Sequence, residues 1–107
     1  MEHRFNENNF EEEVIKSDIP VMIDFYAEWC GPCRMMSPVV DQFSKEYDNR
    51  VKIGKVNVDE EMTLAARFGV ESIPSFVFIK DGKVIDRITG ATPRAVLNNY
   101  LEKLAAG

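Results

Sequence analysis

Phe10 and Val14, with Ile15 beside them, form a short apolar stripe at helical spacing, and Asn6 ahead of them is suited to cap a helix. Pro20 then introduces residues 21–27, which are apolar on both faces except at Asp24, the pattern of a strand buried in the middle of a sheet. From Gly31 onward Met35, Met36, Val39, Val40, Phe43 and Tyr47 recur at helical spacing. We read this methionine-bearing stripe as core, and Pro38 within it predicts a kink. Residues 51–58 predict a second strand, and Met62, Ala65, Ala66 and Phe68 mark a helix closed by Gly69. Two further strands, 76–80 and 83–88, flank Asp81-Gly82, a pair that suits a two-residue type I′ turn, so they form an antiparallel hairpin. Thr92 and Pro93 announce a last helix with Val96, Leu97, Tyr100, Leu101 and Leu104 on one face.

The 107 residues, 45% hydrophobic and 29% charged, suit one domain spanning 1–107 whose core needs no covalent staples. Thirteen basic residues against eighteen acidic ones give a net charge of -5, which disfavours binding to phosphate backbones. Nucleic acid is therefore not an expected partner. No apolar run approaches the ~18 residues of a membrane span, and the opening Met1-Glu2-His3-Arg4 lacks the basic-then-apolar layout of a signal peptide. A cytoplasmic location away from membranes is expected.

The chain has two cysteines, Cys30 and Cys33, where the strand pattern gives way to the helical one. On a helix, residues three apart are neighbours with α carbons roughly 5 to 6 Å apart, which suits a disulfide. The first turn leaves backbone N–H groups unpaired and carries partial positive charge, so a thiolate is stabilised there. Cys30, at that end, is the expected nucleophile, anionic and reachable by solvent; Cys33, one turn in, is the expected resolving thiol. Pro32 suits a helix opening because it lacks an N–H that would have no partner there. A purely structural bridge would close a loop of about four residues and stabilise by only about 2 kcal/mol. Zinc would need ligands beyond one C-x-x-C and His3, and c-type haem attachment needs a His where Arg34 stands. A metal shared across a dimer and inert thiols remain the alternatives to redox chemistry.

Other residues are more ambiguous. Asp24, in an apolar strand, is either a buried carboxylate with a raised pKa, an exposed strand position or a partner in a structural hydrogen bond. Lys55 reads as a solvated strand lysine. The Ile73-Pro74 bond reads as trans, since only about one X-Pro bond in twenty is cis.

The run from Asp24 to Cys33 (DFYAEWCGPC), followed downstream by Ile73-Pro74, closely resembles the thioredoxin family. The likeness extends over essentially the whole chain through Pro38, Lys55 before Val56-Asn57-Val58-Asp59, the Asp81-Gly82 turn and Gly90 before the last helix. One departure is Tyr26, where many members carry a second tryptophan. The resemblance implies an α/β thioredoxin fold: a central mixed β-sheet flanked by helices on both faces. It implies a general protein disulfide reductase in which Asp24 lies beneath the dithiol and moves a proton through water for Cys33, with Lys55 as its neighbour. It makes the Ile73-Pro74 bond cis, facing the dithiol, so that an extended substrate segment can pair with the Ile73 backbone as an added strand. Trp29, Gly31, Pro32, Ile73, Pro74, Gly90 and Ala91 would frame the substrate-binding surface around Cys30. The same resemblance implies no bound cofactor and no metal, a monomer, disulfide-containing protein substrates, and thioredoxin reductase as electron donor. Gly31-Pro32 between the cysteines favours a reductant over oxidase and isomerase relatives. A non-enzymatic docking module that uses the apolar rim is the rival from another class.

Overall fold

The structure, a computed structural model, describes residues 2–107, so Met1, part of the opening stretch read above, lies outside the described residues. The strands are β1 (His3–Arg4), β2 (Val21–Tyr26), β3 (Lys52–Asn57), β4 (Ser75–Lys80) and β5 (Lys83–Thr89). They form one sheet in the order β1-β3-β2-β4-β5. β1 and β2 run parallel to β3, whereas β4 is antiparallel to β2 and β5 antiparallel to β4, so the sheet is mixed. The helices are α1 (Gly31–Glu46), α2 (Met62–Arg67) and α3 (Arg94–Ala106).

Alternation along the central strand sorts the core into two layers. Met22 of β2 joins Phe76 and Phe78 of β4 beneath α1 and α3, with Met36, Val40, Phe43, Leu97, Leu101 and Leu104. Val21, Ile23 and Phe25 point the other way, into a layer with Phe10, Val14, Leu64 and Phe68. Helices thus cover both faces, as the resemblance implied, and Asp24 shares the α1 face with Met22. Gly54 of β3 belongs to the second layer, where the Phe5 ring occupies the space that a Cβ would need.

The helix read from Phe10 to Ile15 is a short π-wound segment, Glu11–Ile15, in which Lys16 N–H bonds Glu11 C=O across five residues. Asn6 does not cap it. Asn6 and Asn9 instead exchange side-chain to backbone bonds of 2.8 and 2.9 Å within the turn before it. The 21–27 strand stops at Tyr26, and the 51–58 strand is trimmed by one residue at each end. α1 continues through Pro38 without a break.

Two stripe assignments are corrected. Met35 is exposed, because the inward face of α1 is set by Cys33, Met36, Val40 and Phe43 and Met35 lies about 100° from Met36 around the axis. Val96 is exposed for the same reason beside Leu97, which is buried. α3 follows Thr92 and Pro93 as expected, with Pro93 at the N-cap, and the Thr92 hydroxyl donates to Gly90 C=O at 2.9 Å. The hairpin is as expected, with φ of 52° at Asp81 and 77° at Gly82, the double positive φ of a type I′ turn.

Candidate active site

β2 ends at Tyr26, and a turn closed by Cys30 N–H on Ala27 C=O (3.2 Å) delivers the chain to α1. Cys30 is the N-cap of α1, with extended backbone at φ -84° and ψ 110°. Its carbonyl takes the first helical bond from Arg34 N–H (3.1 Å), and its sulfur accepts from Cys33 N–H at 3.2 Å. The two sulfurs lie at disulfide distance with α carbons 5.2 Å apart. The positive end of α1 and a backbone donor therefore converge on Cys30 Sγ. The sulfur expected to be reachable is not so in this closed form. Cys30 and Cys33 are each 4% exposed, because each sulfur covers the other and Tyr26, Ala27, Val58 and Ile73 pack around them. Gly31 and Pro32 are exposed above the pair.

Asp24 is 1% exposed and its Oδ1 has no hydrogen-bond partner among the described residues. Burial pushes its pKa up to about 7, opposed by the charge of Lys55 and assisted by that of Glu2. Lys55 is not the solvated lysine that the residues alone suggest: it is buried, and it stands opposite Asp24 in the β2–β3 register. Its ammonium donates to Ser37 Oγ at 3.3 Å, lies 4.0 Å from Glu2 Oε2 and sits 4.5 Å over the Tyr26 ring. The Tyr26 hydroxyl accepts from Arg4 Nη1 at 2.5 Å. Arg4, Tyr26, Ala27, Glu28, Cys33, Arg34, Ser37 and Lys55 line a cavity of about 180 Å³, polar and roomy enough to hold water against the Cys33 side of the dithiol.

The other side is built from loops. The Ile73-Pro74 peptide is cis, which overturns the trans reading of the residues alone. Ile73 C=O lies 3.9 Å from Cys30 Sγ. Pro74 C=O accepts Gly90 N–H at 2.7 Å, and Gly90 has φ 94°, a left-handed conformation that favours glycine. Ala91 beside it is exposed. Trp29 is 68% exposed, and its indole N–H donates to Asp59 Oδ2 at 2.8 Å. Trp29, Val58, Val70, Glu71 and Ile73 line a groove of about 140 Å³.

The cysteines, Asp24, Lys55, Trp29 and Ile73-Pro74 thus gather at one end of the sheet. Glu2, Arg4, Ser37, Asp59 and Glu71 were not singled out from sequence, and Tyr26 was noted only as a departure. Arg4 and Glu2 reach the site because β1 pairs with β3, Arg4 opposite Lys55. Among the described residues no group of three His, Cys, Asp or Glu is placed to hold a metal ion, and no helix is long and apolar enough to cross a membrane.

The thioredoxin family model matches residues 2–103. The chain is 48% identical over 94 residues to Thioredoxin 1 of Synechococcus elongatus, covering 88% of each chain. It is 46% identical over 95 residues to a thioredoxin of Porphyra purpurea, covering 89% of each. Against an M-type chloroplastic thioredoxin of Pisum sativum the identity is 44% over 98 residues, 92% of this chain and 57% of the other.

Proposed function

The chain belongs to the thioredoxin family and is a thiol-disulfide oxidoreductase acting on disulfide-containing proteins, and on that premise we propose that it is a general protein disulfide reductase in which Cys30 attacks and Cys33 resolves. The observation that carries the division of roles is the Cys33 N–H bond to Cys30 Sγ at the head of α1. In the reduced protein that donor and the helix end favour the Cys30 thiolate over the Cys33 thiolate.

Cys30 thiolate attacks one sulfur of the substrate disulfide, whose S–S bond breaks as the Cys30–substrate bond forms, and the departing thiolate takes a proton from solvent. Asp24, buried and with its pKa pushed up to about 7, accepts the Cys33 proton through water in the cavity lined by Cys33 and by Lys55, its neighbour across the strands. Cys33 thiolate then attacks Cys30 Sγ, the Cys30–substrate bond breaks, and the second substrate sulfur leaves as a thiolate that takes a proton from solvent. Two electrons have passed to the substrate, and the protein is left in its disulfide form. Lys55 holds positive charge beside Asp24 and keeps its proton exchangeable at neutral pH.

Trp29, Gly31, Pro32, Ile73, Pro74, Gly90 and Ala91 are the binding surface in this reading. The Ile73 backbone offers strand-like pairing, and recognition is mostly tolerant of sequence. The single domain 1–107 works as a monomer in the cytoplasm, without a bound cofactor, and thioredoxin reductase restores the dithiol. Reduction of insulin driven by dithiothreitol tests the reading. The native chain is expected to accelerate it, and a chain with both cysteines replaced by serine is expected not to; equal rates would refute it.

A further inference from the structure

We infer that the groove between Trp29 and Ile73 reads charge as well as apolar shape, Glu71 and Asp59 selecting disulfides flanked by an apolar residue and then a lysine or arginine. The inference rests on the reading that substrates dock beside Cys30, and it names the class of substrate that fits best.

Four of the groove's five lining residues are apolar and the fifth is Glu71. The groove starts at the reacting atoms, since Ile73 C=O is 3.9 Å from Cys30 Sγ. At its Trp29 wall Asp59 is fixed by the indole N–H, which brings a second carboxylate to the rim. Glu71 and Asp59 are both exposed, and among the described residues neither lies within 4.0 Å of a cationic group. On the opposite flank the cavity beside Cys33 is lined by three cationic residues, Arg4, Arg34 and Lys55, against one carboxylate, Glu28, and neither arginine has a carboxylate within 4.0 Å. Charge therefore changes sign across the dithiol, in a chain whose net charge of -5 would by itself repel acidic partners everywhere. An apolar residue next to the attacked cysteine fills the groove. The stem of a lysine or arginine beyond it lies along the exposed Trp29 face, with its cationic head against the carboxylates.

Cystine peptides test this, with leucine next to the cysteine and Lys, Ala or Glu at the position beyond, built on either side of the cysteine. The reduced native chain is mixed with each, and the second-order rate constant of reduction is measured. Each exposed ion pair changes a rate constant by roughly 1.5- to 5-fold, so the Lys peptide is expected to outrun the Glu peptide by about fivefold at low salt. The ratio shrinks at high salt, falls in Glu71→Gln to what Asp59 alone sustains, and disappears in Glu71→Lys, where the two rim charges cancel. Equal rates for the Lys and Glu peptides in both arrangements, or a lysine preference undiminished in Glu71→Lys, would overturn the inference. The Ala peptide separates the two levels. If it is reduced while charge makes no difference, only the selectivity falls; if it is not reduced, the docking reading falls as well.

Discussion

On the Cys30 flank of the dithiol, backbone and apolar surface, the cis Ile73-Pro74 peptide and the Trp29 wall, are rimmed by the exposed Asp59 and Glu71, whereas on the Cys33 flank the ionisable side chains of Asp24, Lys55, Arg4 and Glu2 gather with Tyr26. Their positions in the sheet account for the contrast. The Cys30 flank comes from loops at strand ends, where exposure is unavoidable and charges stay in water. Asp24 and Lys55 come from adjacent central strands, with side chains turned toward α1 and shut away from solvent. In the proposed mechanism recognition falls to exposed surface, and proton handling to Asp24, whose pKa burial has pushed up to about 7.

The sharpest way to break this division is to remove each sulfur separately. Cys30→Ser is expected to lower insulin reduction by roughly three orders of magnitude or more, because the one thiol left, Cys33, sits buried a turn inside α1. Cys33→Ser leaves the attack intact and removes the release, so partners should accumulate as covalent adducts on non-reducing gels. Adducts on the Cys30→Ser chain but not on the Cys33→Ser chain would invert the assignment.

Asp24→Asn acts on the Cys33 flank alone. Below the ordinary carboxylate value Asp24 is protonated in the folded and the unfolded chain alike. Between that value and about 7 the unfolded chain releases the proton while the folded chain keeps it, so stability falls as pH rises and the loss is complete above 7. Lys55 opposes this shift and Glu2 assists it. At about 1.4 kcal/mol per pH unit the cost at pH 8 is roughly 4 kcal/mol, which Asp24→Asn should largely recover. The gain in denaturation midpoint should vanish toward pH 4. Resolution should slow about tenfold at neutral pH, less than the usual general-base effect because water in the cavity can still take the Cys33 proton. A pH-independent difference in midpoint would mean that Asp24 is not withdrawn from water.

Much of the frame was legible because it is local. Asp81-Gly82 specifies its turn by backbone chemistry, and the apolar stretch before Ala27 can only be a central strand. Met35 and Val96 were misread because counting apolar residues at helical spacing does not say which of two adjacent ones faces the sheet. β1 is two residues long, too short for any periodicity, and exists through its pairing with β3. That pairing brings Arg4 to Tyr26 across 22 positions of sequence, so nothing near either residue announces the contact. The burial of Lys55 depends likewise on strand register. The cis bond at Pro74 came from resemblance, not from the residues. Glu71 carried no signal at all, because an exposed glutamate in a loop looks the same wherever the loop leads.

The finest test asks whether the Cys33 flank is one electrostatic unit. Glu2 arrives just ahead of β1, its Oε2 4.0 Å from Lys55 Nζ and without a hydrogen-bond partner among the described residues. Burial raises its own pKa, and its negative charge works against ionisation of Asp24. Glu2→Gln removes that charge and leaves Lys55 to act on Asp24 alone, so the Asp24 carboxyl should titrate below about 7 and the acid limb of the turnover profile should move to lower pH with it. Stability should change by no more than about 0.5 kcal/mol, since the one ion pair that Glu2 makes among the described residues, with Lys55, is long at 4.0 Å. Carbon-13 NMR titration of the Asp24 carboxyl reads the effect directly. An unmoved Asp24 titration would confine the unit to β2, β3 and α1, and would reduce the N-terminal strand to a cover over the cavity.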